Sequence, residues 1–273
     1  MKRIAWPNIF LLTVLVLLTY IPFLFVVANS VKSDVQIAAN PLNVLWTFHI
    51  QNYITAWNGL DQYLLNTVIV AIISVAVAIP IAASAGYAFA TMHFKGKKIL
   101  FYLFLGLLMI PWTLTLIPLF VEIKTFDLYN TWWALIFPYA AGSQPLLVYL
   151  FRVFFEGLPE ELFESARLDG ASEIKILLRI VAPLSMPILM TGTVLMFINI
   201  WGEYLWPTIV LPNYKLLTVS PGLQTFLGDF GMTGHGAGAA YAGYVIAIVP
   251  MILFLLASMK YFVNGVTAGA VKG

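Results

Sequence analysis

EELFESARLDGASEIKILLRIVAPLSMP, running from Glu160 to Pro187, is a charged, helix-patterned stretch lodged between two long apolar runs. Pro159 suits the first position of a helix, and Glu160 and Glu161 set negative charge against the positive end of its dipole. Leu158, Leu162, Phe163 and Ala166 then share one face while Glu164 and Arg167 lie on another, so the helix is amphipathic. Gly170 can take the left-handed conformation that ends it. Ser172 or Asp169 can cap a second helix, which carries Ile174, Ile176, Leu177, Leu178, Ile180 and Val181 before Pro183. The expected product is a bent helix pair in which Ser165, Ala166, Gly170 and Ala171 let another surface come near. On physics alone such a pair is either a docking surface for a soluble partner or an amphipathic hairpin lying on the membrane.

The rest of the chain supplies the membrane. With 61% hydrophobic and 10% charged residues and a mean hydropathy of +0.92, it carries far more apolar side chain than a water-soluble domain of this length buries. Apolar stretches of roughly 20 residues mark bilayer spans, and six are predicted: Ile9 to Ala28, Leu64 to Ala90, Ile99 to Val121, Asn130 to Leu150, Leu184 to Leu211 and Ala239 to Met259. The first has a second reading, a cleaved signal peptide, because Lys2 and Arg3 precede it and Val26-Val27-Ala28 is a passable cleavage site; its apolar core is longer than a usual signal core.

Basic residues set the orientation. With the N-terminus in the cytoplasm, that side holds Lys2, Arg3, Lys95, Lys97, Lys98, Arg152, Arg167, Lys175, Arg179, Lys260 and Lys272, against Lys32, Lys124 and Lys215 on the other. The asymmetry follows the positive-inside rule and predicts both termini and the opening stretch on the cytoplasmic side.

Several spans are marked for helix packing. Ala78, Ala82, Gly86 and Ala90 recur every four residues, and Gly238, Ala239, Ala242 and Gly243 open the sixth span in the same manner. Prolines at 22, 80, 111, 118, 138, 145, 187, 207 and 250 permit kinks. Glu203 is the acidic side chain deep within a span, and inserting its charge costs about 2.5–3.5 kcal/mol, so it is expected to face the bundle interior or water. Asn199, Trp201, Glu203, Tyr204 and Trp206 have two readings, a solute path or a polar clamp between helices. Pro212 to Gly238, with six glycines, reads as a mobile external loop, and Asn29 to Tyr63 as an exposed segment bearing Trp46, Tyr53 and Trp57.

Catalysis of its own is not expected. The net charge of +2, with no basic run longer than Lys97-Lys98, does not suggest nucleic acid. There is no cysteine, and His49, His93 and His235 have no metal-ligand spacing. Around Gly96-Lys97, Thr91 stands where a phosphate loop needs its first glycine and Lys98 where it needs Ser or Thr. A secondary transporter or channel would show inverted repeats or several intramembrane charges, and neither is found.

Glu164-Ser165-Ala166, three residues, Gly170, nine residues, Ile180 and then Pro183 resembles the E-A-A signature loop of permease subunits from bacterial ABC importers. Asp169-Gly170-Ala171-Ser172 and Pro183-Leu184-Ser185-x-Pro187 are similar to the carbohydrate branch. Trp201-Gly202-Glu203-Tyr204-Leu205-Trp206-Pro207 supports the same resemblance, and the tail from Phe262 to Gly273 resembles the end of the second permease subunit of maltose-type transporters. Ser165 departs from the signature's first alanine, Ala182 from the usual leucine before proline, and Gly202 from the usual asparagine.

The resemblance implies an all-α, polytopic type I importer permease fold forming one transmembrane domain over 1–273, in a bacterial inner membrane. It implies a coupling loop at 152–183 whose first helix sits in a cleft of a separate ATPase. There Glu164 makes charged contacts, Ala166 and Gly170 permit close fit and Asp169 caps the turn, with Ser165, Arg167 and Ala171 beside them. It also implies a cytoplasmic tail at 260–273 reaching between two ATPase copies through Asn264, Gly265, Gly269 and Lys272, and an external loop at 212–238 near an extracytoplasmic solute-binding protein. The remaining partners implied are a second homologous permease, membrane lipid and a carbohydrate solute, with ATP and Mg held by the ATPase and no cofactor in this chain.

Overall fold

A chain segment inside a bilayer has to satisfy its backbone within itself, which favours helix. In the computed structural model, every regular element among the described residues is helical. The structure describes residues 6–43, 48–231 and 236–270, with backbone alone at 7–8, 230–231 and 261–270.

In chain order the helices are α1 (Trp6–Ser30), α2 (Asp34–Ala39), α3 (Gln51–Thr91), α4 (Lys97–Gly106), α5 (Trp112–Thr125), α6 (Trp133–Gly142) and α7 (Gln144–Phe155). The chain continues through α8 (Glu160–Leu168), α9 (Glu173–Ile176), α10 (Ala182–Leu184), α11 (Met186–Gly202), α12 (Leu205–Val210), α13 (Val219–Gly231) and α14 (Ala237–Ala270). Three helices, Ile9–Ser30, Gln51–Thr91 and Ala237–Lys260, are long and apolar enough to cross a membrane unbroken. Three further candidates are bent pairs, so the count reaches six only if each pair is one span.

The bends fall at or beside Pro111, Pro145 and Pro187, among the prolines expected to permit kinks, and three of the predicted spans are bent pairs rather than straight rods. Ile99 to Val121 is not one rod, because Lys97–Met109 and Trp112–Thr125 meet at 97° around Pro111, which cannot donate a backbone hydrogen bond. Asn130 to Leu150 divides at Ser143 into helices bent by 41°, with Pro145 at the start of the second. Leu184 to Leu211 is interrupted at Glu203-Tyr204, and its start turns by 82° from the preceding helices at Ser185, just before Pro187. Pro22, Pro80, Pro118, Pro138 and Pro250 lie inside continuous helices. Pro183 follows a wide π-type turn at Leu177–Val181, where Ala182 N–H bonds Leu177 O. That turn leaves the proline ring free of the carbonyl it would otherwise strike.

Two segments expected as loops are largely helical. At 41 residues, α3 is about 60 Å long at 1.5 Å per residue, and thirteen of its residues precede Leu64. Nearly half of the glycine-rich 212–238 segment forms α13, with further helical turns at Tyr214–Leu216 and from Ala237. A Cβ on Gly222 would collide with the Tyr63 ring, and one on Gly59 would lie 2.6 Å from Phe226. Glycine is used here for close approach, and the packing outweighs its poor helix propensity.

The chain divides into two compact units, each receiving part of α3 and α14. The first takes the described residues of Met1–Leu64 and Gly222–Pro250. Its core is Ala56, Leu60, Phe226, Ala239 and Ala242. Asp34 accepts from the N–H groups of Gly236 and Gly238 at 2.6 and 3.0 Å, satisfying donors at the start of α14. The second unit is Leu65–Pro221 with Met251–Gly273. Its fully buried side chains include Leu135, Ile136, Leu147, Val148, Phe151, Phe155, Ile176 and Trp206. Ala78 and Ala82 are wholly buried, and a Cβ on Gly86 would lie 3.1 Å from the backbone nitrogen of Arg152. The small stripe on α3 is therefore a helix-packing face.

Candidate functional site

Two places in the second unit gather the chemistry-bearing residues. The first is the turn between α8 and α9. Gly170 has φ +76°, and Ala171 N–H bonds Ala166 O while Gly170 N–H bonds Arg167 O, both at 3.0 Å. These are the two bonds of a Schellman ending, which glycine permits without steric cost. Ser172 Oγ accepts from Lys175 N at 3.4 Å and caps α9. Of the two caps the sequence allowed, Ser172 takes the role; Asp169 ends α8 with an exposed side chain.

Arg167 closes the turn. Its Nε donates to Glu173 Oε1 at 2.8 Å and its second guanidinium nitrogen to Oε2 at 3.3 Å. Tyr87 of α3 donates its hydroxyl to Glu173 Oε2, and its ring meets Phe163 with centroids 6.2 Å apart. Phe163 and Ala166 are buried at 4% and 6% exposure, whereas Leu168 is 89% exposed. Glu164, Ser165, Asp169 and Gly170 also face solvent, and Ala171 is half-buried. Ala166 thus packs inward in this chain rather than lying on the outward surface. Tyr87 and Glu173 are the residues that sequence reading missed. Glu173 was available as an acidic residue six positions past Arg167 across a glycine turn, but nothing local ties Tyr87 to it.

Arg167 holds the Glu173 carboxyl below its ordinary range, and Tyr87 adds to this. A lowered folded pKa stabilises above the unfolded value, about 4.3 for glutamate, and the contribution is lost only as pH falls through the lowered value. The clasp should persist from pH 7 to pH 5. Both partners are 39% exposed, so the ion pair is worth no more than about 1 kcal/mol. Hydrogen exchange over 166–175 should show protection about threefold lower in Glu173→Gln at pH 7. In the parent protein, protection corrected for intrinsic exchange should be level to pH 5; a decline already at pH 6 would refute the assignment.

The second place is the interruption of the fifth apolar run. After α11 ends at Gly202, Glu203 takes an extended conformation, and its Oε1 accepts from the N–H groups of Leu205 and Trp206 at 3.0 and 3.2 Å. The carboxylate thereby satisfies donors that the restart of the helix leaves open. Asn199 and Glu203 line a half-open cavity of about 320 Å³ together with Trp112, Tyr139 and Ser143. Tyr204 and Asn199 border a neighbouring shallow recess. The two tryptophans expected near a path do not line this cavity. Trp201 is buried and stacks on Phe197 at 5.1 Å, and Trp206 is wholly buried, donating Nε1–H to Ala134 O at 2.8 Å. A tryptophan can bury its area only if its N–H finds an acceptor, which Trp206 does.

A third aromatic, Trp112, stands in the cavity wall instead, placed there by the break at Pro111. Glu122 on α5 is a second span carboxylate and lines an adjoining, mostly apolar cavity of about 550 Å³. Among the described residues no cluster of metal-ligating side chains occurs. Asn264, Gly265 and Gly269 continue the backbone of α14, but the Asn264 side chain and all of Lys272 lie outside the described residues.

Comparison with known proteins gives three kinds of likeness. Residues 78–268 match the model for "Binding-protein-dependent transport system inner membrane component". The chain is 36% identical to the "Probable ABC transporter permease protein YurM" of Bacillus subtilis (strain 168), over 97% of this chain and 87% of that protein. It is 32% identical to the "Arabinooligosaccharides transport system permease protein AraQ" of Halalkalibacterium halodurans, over the full length of both. In fold it is similar to a chain in the crystal structure of a bacterial ABC transporter involved in the import of the acidic polysaccharide alginate. That match has a TM-score of 0.81 at 20% identity and covers 93% of this chain and 95% of the other.

Proposed function

The chain belongs to the family of binding-protein-dependent transport system inner membrane components, permeases of ABC transporters, and from that premise we propose that it is one transmembrane subunit of an ATP-driven carbohydrate importer. In this reading it crosses a bacterial cytoplasmic membrane six times, the bent pairs counting as single crossings, with both termini and the α8–α9 turn in the cytoplasm. It stands beside a second homologous permease and over two copies of an ATPase that binds ATP and Mg. An extracytoplasmic binding protein delivers the solute near 212–238, and the tail at 260–273 reaches toward the ATPases. The full-length likeness to an arabinooligosaccharide permease supports a sugar as cargo.

The α8–α9 turn carries the proposal. Phe163 and Ala166 anchor it inward, the Arg167–Glu173 pair fixes its shape, and Glu164, Ser165, Leu168 and Asp169 project. A partner pressing on that surface moves a rigid body, and Tyr87 and Phe163 pass the displacement to α3 while the chain itself passes it to α7 and α11. The exposed leucine at the tip offers apolar area worth about 2 kcal/mol when covered.

The absence of cysteine makes the test direct. Leu168→Cys in the assembled complex is expected to cross-link to the ATPase, with the yield changing between nucleotide-free and ATP-bound states. Labelling of the introduced thiol from outside intact cells, or a full set of reagents that never captures the ATPase, would refute the reading.

A further inference from the structure

The cavity at the break between α11 and α12 gathers several polar groups, one of which lacks a partner among the described residues. The Tyr139 hydroxyl oxygen is buried and makes no hydrogen bond among the described residues. An unpaired buried hydroxyl costs about 1–3 kcal/mol, so it is poised for an oxygen brought by water or a ligand. Glu203 commits Oε1 to two backbone donors, and among the described residues Oε2 receives no hydrogen bond. Asn199 and Ser143 add hydrogen-bonding groups, and Trp112 adds an aromatic wall. At about 320 Å³ the space sits at the small end of small-molecule sites, about 300–1,000 Å³, a size for one ring rather than a chain of them.

Charge narrows the ligand further. Glu203 is the sole charged residue lining this cavity among the described residues. The adjoining cavity shares Trp112, Pro138 and Gly142 with it, and its only charged lining residue is another carboxylate, Glu122. Among the described residues neither wall contains lysine or arginine. A sugar acid would bring its carboxylate against Glu203 with no described cation in the walls to compensate, and the two like charges would repel. Hydroxyl or ammonium groups would instead donate to Oε2. We infer that this cavity is a subsite for a single uncharged or amino-bearing sugar ring, contacted by Glu203, Tyr139, Asn199, Ser143 and Trp112, and that it rejects anionic sugars. The inference deepens the importer reading and rests on it for the kind of cargo.

The test reads the cavity alone. Ser143→Cys provides a single thiol in the chain, within the assembled complex. Its reaction rates with a cationic trimethylammonium-ethyl and an anionic sulfonatoethyl methanethiosulfonate are each divided by the rate with a free thiol in solution. The cationic reagent should be favoured by about tenfold, the effect of one nearby charge in partly screened surroundings. Adding Glu203→Gln should bring the ratio to about one. Methyl glucoside and glucosamine should slow labelling, and glucuronate should not.

Equal normalised rates with Glu203 present, a ratio unmoved by Glu203→Gln, or protection by glucuronate as strong as by methyl glucoside would overturn the inference. So would labelling that no sugar slows. Asn199→Cys supplies the same comparison if the first thiol variant does not assemble. Failure of the Leu168 cross-link would count against the importer itself, so the two failures are told apart.

Discussion

Gly170→Pro is expected to abolish at least nine-tenths of solute-stimulated ATP hydrolysis while leaving the amount of permease in the membrane unchanged. The backbone at 170 sits at φ +76°, and proline is locked near −65°. The substitution also deletes the N–H that bonds Arg167 O, and with the turn opened Arg167 no longer meets Glu173. Left-handed strain of about 1–2 kcal/mol, a lost hydrogen bond of about 1 kcal/mol and the exposed ion pair all act in one direction. At 1.4 kcal/mol per tenfold, the docking-competent shape falls to a small fraction of the population. Gly170→Ala separates strain from bulk, since a Cβ there meets nothing within 4 Å. Alanine should retain about a third or more of the stimulated rate, because it bears the strain alone. Hydrolysis at the parental rate in the proline variant would mean that the turn does not transmit force. Insertion should be indifferent to both changes, because residue 170 is exposed and lies outside the apolar helices.

What could be read in the chain and what could not divides by the range of the interaction. The ending at Gly170 and the cap at Ser172 depend on residues within five positions, and composition announces them. The small faces of α3 and α14 are likewise periodic, and Ala78, Ala82, Ala239 and Ala242 are all buried as that periodicity implies. Tyr87 bonds a residue 86 positions away, and in sequence it is one aromatic among many near a span end. Trp201 and Trp206 belong to an aromatic cluster for which the sequence leaves a solute path and a clamp between helices both open, because direction around a broken helix is not periodic. The break at Glu203 turns Trp206 onto Ala134, while the break at Pro111 sets Trp112 against the edge of Trp206 and into the cavity wall. The α13 helix was missed because local propensity penalises its glycines, whereas Gly222 is there so that the Tyr63 ring can approach.

Gly86→Leu should prevent recovery of folded protein, and the reason lies in what surrounds the missing side chain. A Cβ at Gly86 would stand 3.0 Å from Phe151 Cβ and 3.1 Å from the backbone nitrogen of Arg152. Backbone cannot rotate aside, so α3 and α7 would have to part. At Gly192 the nearest atoms are ends of the Leu147 and Phe151 side chains, at 2.8 Å, and rotamer changes can relieve them. The ranking follows: Gly86→Ala should cost about 1–3 kcal/mol, lowering the melting temperature in detergent by roughly 2–4 °C per kcal/mol, and Gly192→Ala should cost less. Lipid offers no hydrophobic drive to press the helices back together, because association in a bilayer rests on close packing. If Gly86→Leu melts with the parent protein, α3 and α7 do not pack at this distance. The adjoining residue makes the packing functional as well as structural. Tyr87 follows Gly86 on α3, so the contact that seats α3 on α7 also fixes where the Glu173 clasp is held. Separating the helices at Gly86 would therefore move the anchor of the α8–α9 turn even if its Schellman ending and Arg167–Glu173 pair stayed intact. In any Gly86→Ala protein that survives purification, stimulated ATP hydrolysis should accordingly fall further than in a Gly192→Ala protein of equal melting temperature.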